Sequence, residues 1–301
     1  MTDLTENLPD NFRCGFVAIV GRPNVGKSTL MNHMIGQKIS ITSEKAQTTR
    51  LRVTGIETRR DVQYIFVDTP GFQTRHRNAL NDALNQSVRS TLSDVDCVLF
   101  VLEAGKFGPA DLEVMALLPK HRPVICVINK ADQLKDKAEM AGFLVKISEA
   151  HPFVDIIPVS AKHGQRLDEL MDLITPHLPV GVPLYPTDMV TDKNERFLAA
   201  EIVREKLFRY LGEELPYAMN VETEAFELDG AMRRIHVQVL VDKPGQKAIV
   251  IGKNGEKLKK ISTEARMDME RLFDGKVFLQ VWVKVKGGWA DDVRFLKQFE
   301  L

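Results

Sequence analysis

The chain is predicted to be an α/β protein in two unequal parts. A doubly wound, mostly parallel sheet comes first, and a smaller α+β unit follows. Three observations predict this. Residues 15–178 alternate short apolar runs with helical stretches, the pattern of a parallel sheet covered on both faces. Pro179-Val-Gly-Val-Pro-Leu-Tyr-Pro186 then interrupts all periodicity with three prolines in eight residues. Beyond it the elements read α-β-β-α-α-β. The expected division is a tail over 1–14, a first domain over 15–178, a linker over 179–190 and a second domain over 191–301.

The first strand is Phe16-Val-Ala-Ile-Val20, and Thr29 to Ile35 reads as a helix. Between them lies Gly21-Arg-Pro-Asn-Val-Gly-Lys-Ser28, a complete G-x-x-x-x-G-K-S phosphate loop. Gly21 and Gly26 allow the tight turn, so the loop of Gly21, Arg22, Pro23, Asn24, Val25, Gly26 and Lys27 wraps phosphates with its N–H groups, of which Pro23 has none. The helix N-terminus adds positive potential. Lys27 is placed to reach the β- and γ-phosphates, and the Ser28 hydroxyl to ligate magnesium.

A second strand, Tyr64-Ile-Phe-Val67, delivers Asp68-Thr69-Pro70-Gly71. The Asp68 carboxylate suits Mg²⁺ held through water, and the Gly71 amide suits the γ-phosphate. The same letters also make an ordinary turn, which is compatible with both roles. Between the loop and Asp68, Gln47-Thr-Thr-Arg50 is the candidate switch, with Thr49, or alternatively Thr48, closing over magnesium. Val124-Ile-Cys-Val-Ile128 precedes Asn129-Lys130-Ala-Asp132. The Asp132 carboxylate accepts two hydrogen bonds from guanine N1 and N2, a donor pair that adenine lacks. Ile156-Ile-Pro-Val159 precedes Ser160-Ala161-Lys162, where the Ala161 amide is expected at guanine O6. Four strings in this order predict a protein that binds GTP and GDP.

Composition narrows the class. Lys+Arg and Asp+Glu are both 41, and the balance also holds on either side of Asp188, so any nucleic-acid surface must be a local patch. The three cysteines are scattered and the seven histidines lack ligand spacing. This argues against a disulfide framework or zinc site and suits a cytoplasmic protein. Residues 1–14 are polar and acidic, without a secretory signal pattern. The longest apolar runs, such as Cys97–Leu102, are too short to span a bilayer. A monomer is expected.

In the second part, Asp192 with Glu195 suggests a capping box before a helical stripe of Phe197, Ala200, Val203, Leu207 and Leu211. Tyr217–Phe226 reads as a strand. Ile235, Val237, Val239 and Val241 alternate as a second strand, and Val277 to Val285 as a third. A short helix ends at Gly252, and another carries Leu258, Ile261, Ala265, Met269 and Leu272. Between them stands Gly252-Lys253-Asn254-Gly255. This arrangement resembles the prokaryotic type of KH domain, whose G-x-x-G loop clamps about four nucleotides of single-stranded nucleic acid. Ile251 and the loop itself, with Lys257, Lys259 and Lys260, are the candidate RNA contacts, over an apolar floor that includes Ile249 and Leu258.

The combination of GRPNVGKS, KAQTTR at Lys45–Arg50, DTPGF at Asp68–Phe72, NKAD and VIGKNG at Val250–Gly255 resembles the bacterial Era GTPases from about Cys14 to the end. The resemblance implies a P-loop GTPase sheet followed by a KH domain. It implies GTP hydrolysis and a role in ribosome assembly through the 3′ end of 16S rRNA on the small subunit. It also implies peripheral contact with the cytoplasmic face of the membrane. Phe72 stands where many GTPases carry a water-orienting glutamine, so no general base is named. Related GTPases with an apolar residue there and Asn at the position of Asn24 can use a potassium ion, which makes Asn24 a catalytic candidate beside Lys27, Thr49 and Gly71. Two alternatives remain: an RNA-binding module gated by GTP with negligible hydrolysis, and a tRNA-modification GTPase. The second lacks support, because no cofactor domain or terminal cysteine accompanies the motifs in this sequence.

Overall fold

The computed structural model describes residues 8–42, 52–71, 79–134, 136–212 and 215–288. The candidates Thr48, Thr49 and Phe72, with the whole Lys45–Arg50 string, lie outside these residues. The chain divides into two compact units, the second beginning, among the described residues of its main span, at Lys193.

The first unit runs β1 (Arg13–Val20), α1 (Lys27–Ile35), β2 (Val53–Arg59), β3 (Val62–Asp68), α2 (Ala79–Ser93), β4 (Cys97–Glu103) and α3 (Pro109–Met115). It continues with β5 (Val124–Asn129), α4 (Lys137–Ala150), β6 (Asp155–Pro158) and α5 (Leu167–Ile174). The sheet order is β2-β3-β1-β4-β5-β6. Every pair is parallel except β2–β3. The mostly parallel expectation holds, and β2 is the antiparallel edge.

β3, β4 and β5 are buried along their whole lengths, as strands covered on both faces must be. Ala18, Val20, Val98, Phe100, Leu102, Cys126 and Ile128 pack with Val88 and Leu92 of α2, Val114 of α3 and Phe143 and Ile147 of α4. Phe100 is fully buried, and side chains of this size contribute roughly 1.5–3 kcal/mol each. The other face meets α1 and α5, where Leu170 and Ile174 are fully buried.

The stretch 179–190 is not a free linker. Cys14 N donates to Pro179 O and Gly181 N to Phe12 O. The fully buried Gln63 accepts Leu184 N and Tyr185 N on Oε1 and donates from Nε2 to Tyr185 O at 2.8 Å. Ile56 N reaches Val190 O, and Thr191 Oγ1 donates to Thr54 O. Stiff prolines leave carbonyls and a few amides to be satisfied, and one buried glutamine satisfies three of them. Arg13 and Cys14, expected in the tail, are likewise part of β1.

The second unit runs α6 (Glu195–Tyr210), β7 (Met219–Asp229), β8 (Met232–Val241), α7 (Pro244–Ile251), α8 (Glu256–Leu272) and β9 (Lys276–Val285). This is the expected α-β-β-α-α-β order. The sheet is β7-β8-β9, antiparallel then parallel. Ile235, Val237, Val239 and Val241 are fully buried beneath Ile261, Ala265 and Met269 of α8 and Val203 and Leu207 of α6.

Three local expectations are corrected. Asn194, not Asp192, caps α6: its Oδ1 accepts Phe197 N at 2.9 Å. Glu195 instead forms a paired salt bridge with Arg233 of β8. The strand expected from Tyr217 begins at Met219, because Leu215–Ala218 forms a 3₁₀ turn around Pro216. β7 also shifts register between Thr223 and Ala225, and Arg196 donates to the carbonyls of Thr223 and Glu224 there.

Candidate functional site

In the first unit the candidate loops leave the carboxyl ends of β1, β3, β5 and β6. β1 lies between β3 and β4, so successive connections diverge there, the position at which open α/β sheets form a ligand crevice.

The loop after β1 enters α1 through Gly26, which has φ 98°. A Cβ there would stand 2.3 Å from Asn129 Nδ2, so both the backbone angle and the space demand glycine. Asn24 is exposed and takes φ 65°, a conformation asparagine tolerates. Val25 is fully buried and anchors the loop from below. Pro23 packs on Gly71, where a Cβ would come within 2.9 Å of Pro23 Cγ. Two of the four strings are thereby in direct contact.

Lys27 folds back over its loop, donating to Gly21 O at 3.0 Å and Arg22 O at 3.1 Å. It is 7% exposed. Burial pushes its ammonium down to about 8; Asp68 opposes the shift and Arg22 adds to it. Asp68 is fully buried at the end of β3. Its Oδ2 accepts Ser28 Oγ at 2.7 Å and Ser40 Oγ at 3.0 Å. Ser40 is held by Asn32 of α1, which accepts the amides of Ile39 and Ser40 and donates to Ser40 O. Neither Ser40 nor Asn32 belongs to a recognisable string. Thr69 turns inward, donating to Ile19 O at 2.9 Å, so its side chain anchors Asp68 to β1. Pro70 beside it is buried.

Asn129 donates from Nδ2 to Val25 O at 2.8 Å and accepts Lys130 N at 2.8 Å and Ala161 N at 2.9 Å. The Ala161 amide, expected at guanine O6, is therefore already engaged. Ser160 Oγ donates to Asp132 Oδ1 at 2.5 Å, which orients the Asp132 carboxylate. His163 Nε2 lies 3.8 Å from Asp132 Oδ2. Lys162 is exposed beside it.

Arg22 and Lys130 share a carboxylate that the sequence strings do not contain, Glu103 at the end of β4. Arg22 also pairs with Asp111 of α3 at 3.1 Å. Glu103 and Asp111 are ordinary letters between motifs, and only their place in the fold reveals them.

In the second unit α7 ends at Gly252, with φ 75° and ψ 175°. A Cβ there would lie 2.6 Å from Lys257 Cβ, so glycine alone lets the loop close on α8. Lys253 and Asn254 are exposed at the tip, and Gly255 is the N-cap of α8. Ile251 and Lys257 are half-buried beside the tip, and Ile249 is 51% exposed. Lys260 departs from this group. Its Nζ lies over the Tyr210 ring, 4.5 Å from the centroid, on the side facing α6.

Among the described residues no helix is long and apolar enough to cross a membrane. No group of three His, Cys, Asp or Glu that could hold a metal occurs among them.

These loops on this sheet, with the second unit's helix-loop-helix over three strands, define a phosphate-loop GTPase joined to a KH domain. Residues 16–130 match the family of 50S ribosome-binding GTPases, and residues 214–290 match the KH domain. GTPase Era of Chromobacterium violaceum is 72% identical, over 96% of this chain and 98% of that protein. GTPase Era of Neisseria meningitidis serogroup A is 65% identical, over 98% and 97%. A solved structure of an Aquifex aeolicus Era variant bound to GDP·AlF4⁻ matches with TM-score 0.92 and 39% identity, covering 96% of this chain and 99% of that one. Era in complex with MgGDPNP and nucleotides 1506–1542 of 16S ribosomal RNA matches with TM-score 0.92 and 38% identity, covering 96% and 98%. The chain belongs to the Era family of GTPases.

Lys27 sets a stability test. Its folded value near 8 lies below the ordinary 10.5, so between these limits the unfolded chain binds more protons. The cost of burying the charge is complete below about pH 8 and fades as pH rises towards the ordinary value. In urea unfolding of the nucleotide-free chain, Lys27→Met should raise the unfolding free energy at pH 7 by roughly 1–3 kcal/mol. The gain should shrink towards pH 10. A destabilised variant at pH 7 would mean that the two carbonyl hydrogen bonds outweigh desolvation.

Proposed function

We propose that the first unit binds GTP and GDP with magnesium and hydrolyses GTP, and that the second unit binds single-stranded RNA. The observation that carries the nucleotide reading is the joining of three loops by Asn129. Phosphate-binding amides from Gly21 to Ser28 and base-reading groups at Asp132 and Ser160–Lys162 then face one crevice. Lys27 binds the β- and γ-phosphates, and the Gly71 amide meets the γ-phosphate. Asp132 reads guanine, with its carboxylate aimed by Ser160. Guanine O6 shares the Ala161 amide with Asn129. The proposed domains are 15–178 and 191–301, with 179–190 as a bound strap between them.

Magnesium fits the donors present. Ser28 Oγ, as a direct ligand, and Asp68 Oδ2, acting through water, are 2.7 Å apart, so two hard oxygen donors converge. These residues hold the ion in this reading, with Thr49 as the closing ligand. When bound, magnesium offsets phosphate charge as it develops. Cytoplasmic location is supported by three free, buried cysteines. A monomeric state is proposed, and peripheral membrane contact is proposed from the family resemblance.

The RNA target is proposed as the 3′ end of 16S rRNA on the small subunit. Its support is the relative solved with nucleotides 1506–1542 and the exposed Lys253–Asn254 tip between Gly252 and Gly255. Ile251, Gly252, Gly255 and Lys257 complete that surface, and Lys260 contributes at longer range.

Base exchange tests the first unit. Asp132→Asn should weaken GTP binding by roughly 2–4 kcal/mol, and xanthosine triphosphate, with a carbonyl at C2, should partly restore binding. A variant that still prefers GTP would sink the assignment.

For the second unit, Lys253→Asp combined with Asn254→Asp sets two carboxylates against phosphates that the glycines admit closely. Single-stranded RNA binding should be almost abolished while GDP affinity is retained. Unchanged RNA affinity at fixed salt would move the site elsewhere.

Potassium is proposed as a second cation, touching phosphate oxygens beside the neutral Asn24 carbonyl. GTP turnover should be faster in potassium than in sodium at equal ionic strength, and Asn24→Ala should remove the difference. Equal turnover in the unsubstituted chain would exclude the cation.

A further inference from the structure

β4 ends between the loop that holds phosphates and the loop that reads the base. Its Val101 carbonyl presses on the start of the phosphate loop, where a Cβ on Gly21 would come within 2.5 Å. Two residues on, Glu103 pairs in register with Asn129 of β5. Ala104 N donates to Asn129 O at 2.8 Å, which locks the end of β4 to the base loop.

From this place the Glu103 side chain reaches both loops. Its Oε2 lies 3.0 Å from Arg22 Nη2 and 3.2 Å from Lys130 Nζ, while Oε1 takes Lys106 Nζ at 2.6 Å. Glu103 is 6% exposed. Burial opposes its ionisation, but hydrogen bonds from Lys106 and Lys130 outweigh burial and hold its carboxyl below the ordinary range. Asp111, also buried, accepts Gly108 N and pairs with Arg22 from the other side. Lys106 is 67% exposed and lies in neither loop. An exposed ion pair of that kind is worth little, whereas a carboxylate shared by two partly buried cations limits the movement of both.

We propose that Glu103 is a positioning residue for nucleotide binding: one carboxylate, shared by Arg22 and Lys130, sets the spacing between the phosphate loop and the base loop. The inference rests on the nucleotide reading above. A guanine nucleotide spans both loops, so a lapse in their spacing weakens GDP and GTP alike.

The test is equilibrium binding of methylanthraniloyl-labelled GDP and GTP to the full chain and its variants. Glu103→Gln should weaken both nucleotides by the same factor, about tenfold or more. In a chain already carrying Arg22→Ala and Lys130→Ala, adding Glu103→Gln should change affinity by less than about twofold, because its two targets are gone. Lys106→Ala should stay within about twofold of the parent. A variant that does not fold is bypassed by Arg22→Ala and Lys130→Ala, singly and together: linkage through one carboxylate makes the double loss smaller than the product of the single losses. The proposal is overturned if Glu103→Gln binds like a parent that binds well. It is also overturned if its effect is undiminished in the doubly substituted chain, or if the two cation losses simply multiply. A parent that binds neither nucleotide overturns the nucleotide reading, and this inference with it.

Discussion

One amide side chain holds the first unit's site together. Asn129 is 2% exposed and satisfies its hydrogen-bonding groups on three separate loops: Val25 O, Lys130 N and Ala161 N. Each of those partners is a backbone group, and the bonds to Val25 O and Ala161 N are buried. Leaving one unpaired costs about 1–3 kcal/mol, so the three loops keep one relative geometry. The same side chain leaves no room for a Cβ at Gly26. The glycine is thus required from two directions, by its left-handed backbone and by its neighbour. A site fixed before its ligand arrives spends little binding energy on ordering loops.

The second unit is built on a different balance. At the tip of its Gly252-Lys253-Asn254-Gly255 loop, Lys253 and Asn254 are exposed. Its shape comes from backbone packing, since Gly252 lies against Lys257 at the start of α8. An apolar cluster runs through the unit's core, from Ile235 and Val237 to Ile261 and Met269, while α6 also buries Glu201, Arg204, Glu205 and Lys206. Such a tip suits a polyanion recognised by close backbone approach and positive potential, where side-chain geometry matters less than access.

How much of this was legible depended on how local each signal was. Buried strands announced themselves as apolar runs, because both faces of β4 and β5 are covered. β2 carries a weaker signal: Thr54, Gly55 and Glu57 interrupt its apolar residues, and it is an antiparallel edge. The prolines after Pro179 correctly marked the end of periodic structure. They gave no hint that Gln63, buried in a strand more than a hundred residues earlier, would fasten that stretch. The cap of α6 lies two residues beyond the expected Asp192, since Asp192 and Asn194 are both good caps and Glu195 is drawn away by Arg233.

The sequence by itself determined the strings that touch phosphate and base, their order, the two-part division and the glycines of the second unit's loop. These are short-range properties: a turn, a period or a cap is encoded within a few neighbouring residues. Tertiary structure alone decided that Ser40 meets Asp68, that Thr69 faces inward, that Lys260 turns to Tyr210, and that Glu103 meets Arg22 and Lys130. Arg22 and Glu103 are 81 positions apart in the chain. What brings them together is the placement of β4 beside β1 and β5, and that order follows from how the helices cover the sheet rather than from the letters around either residue.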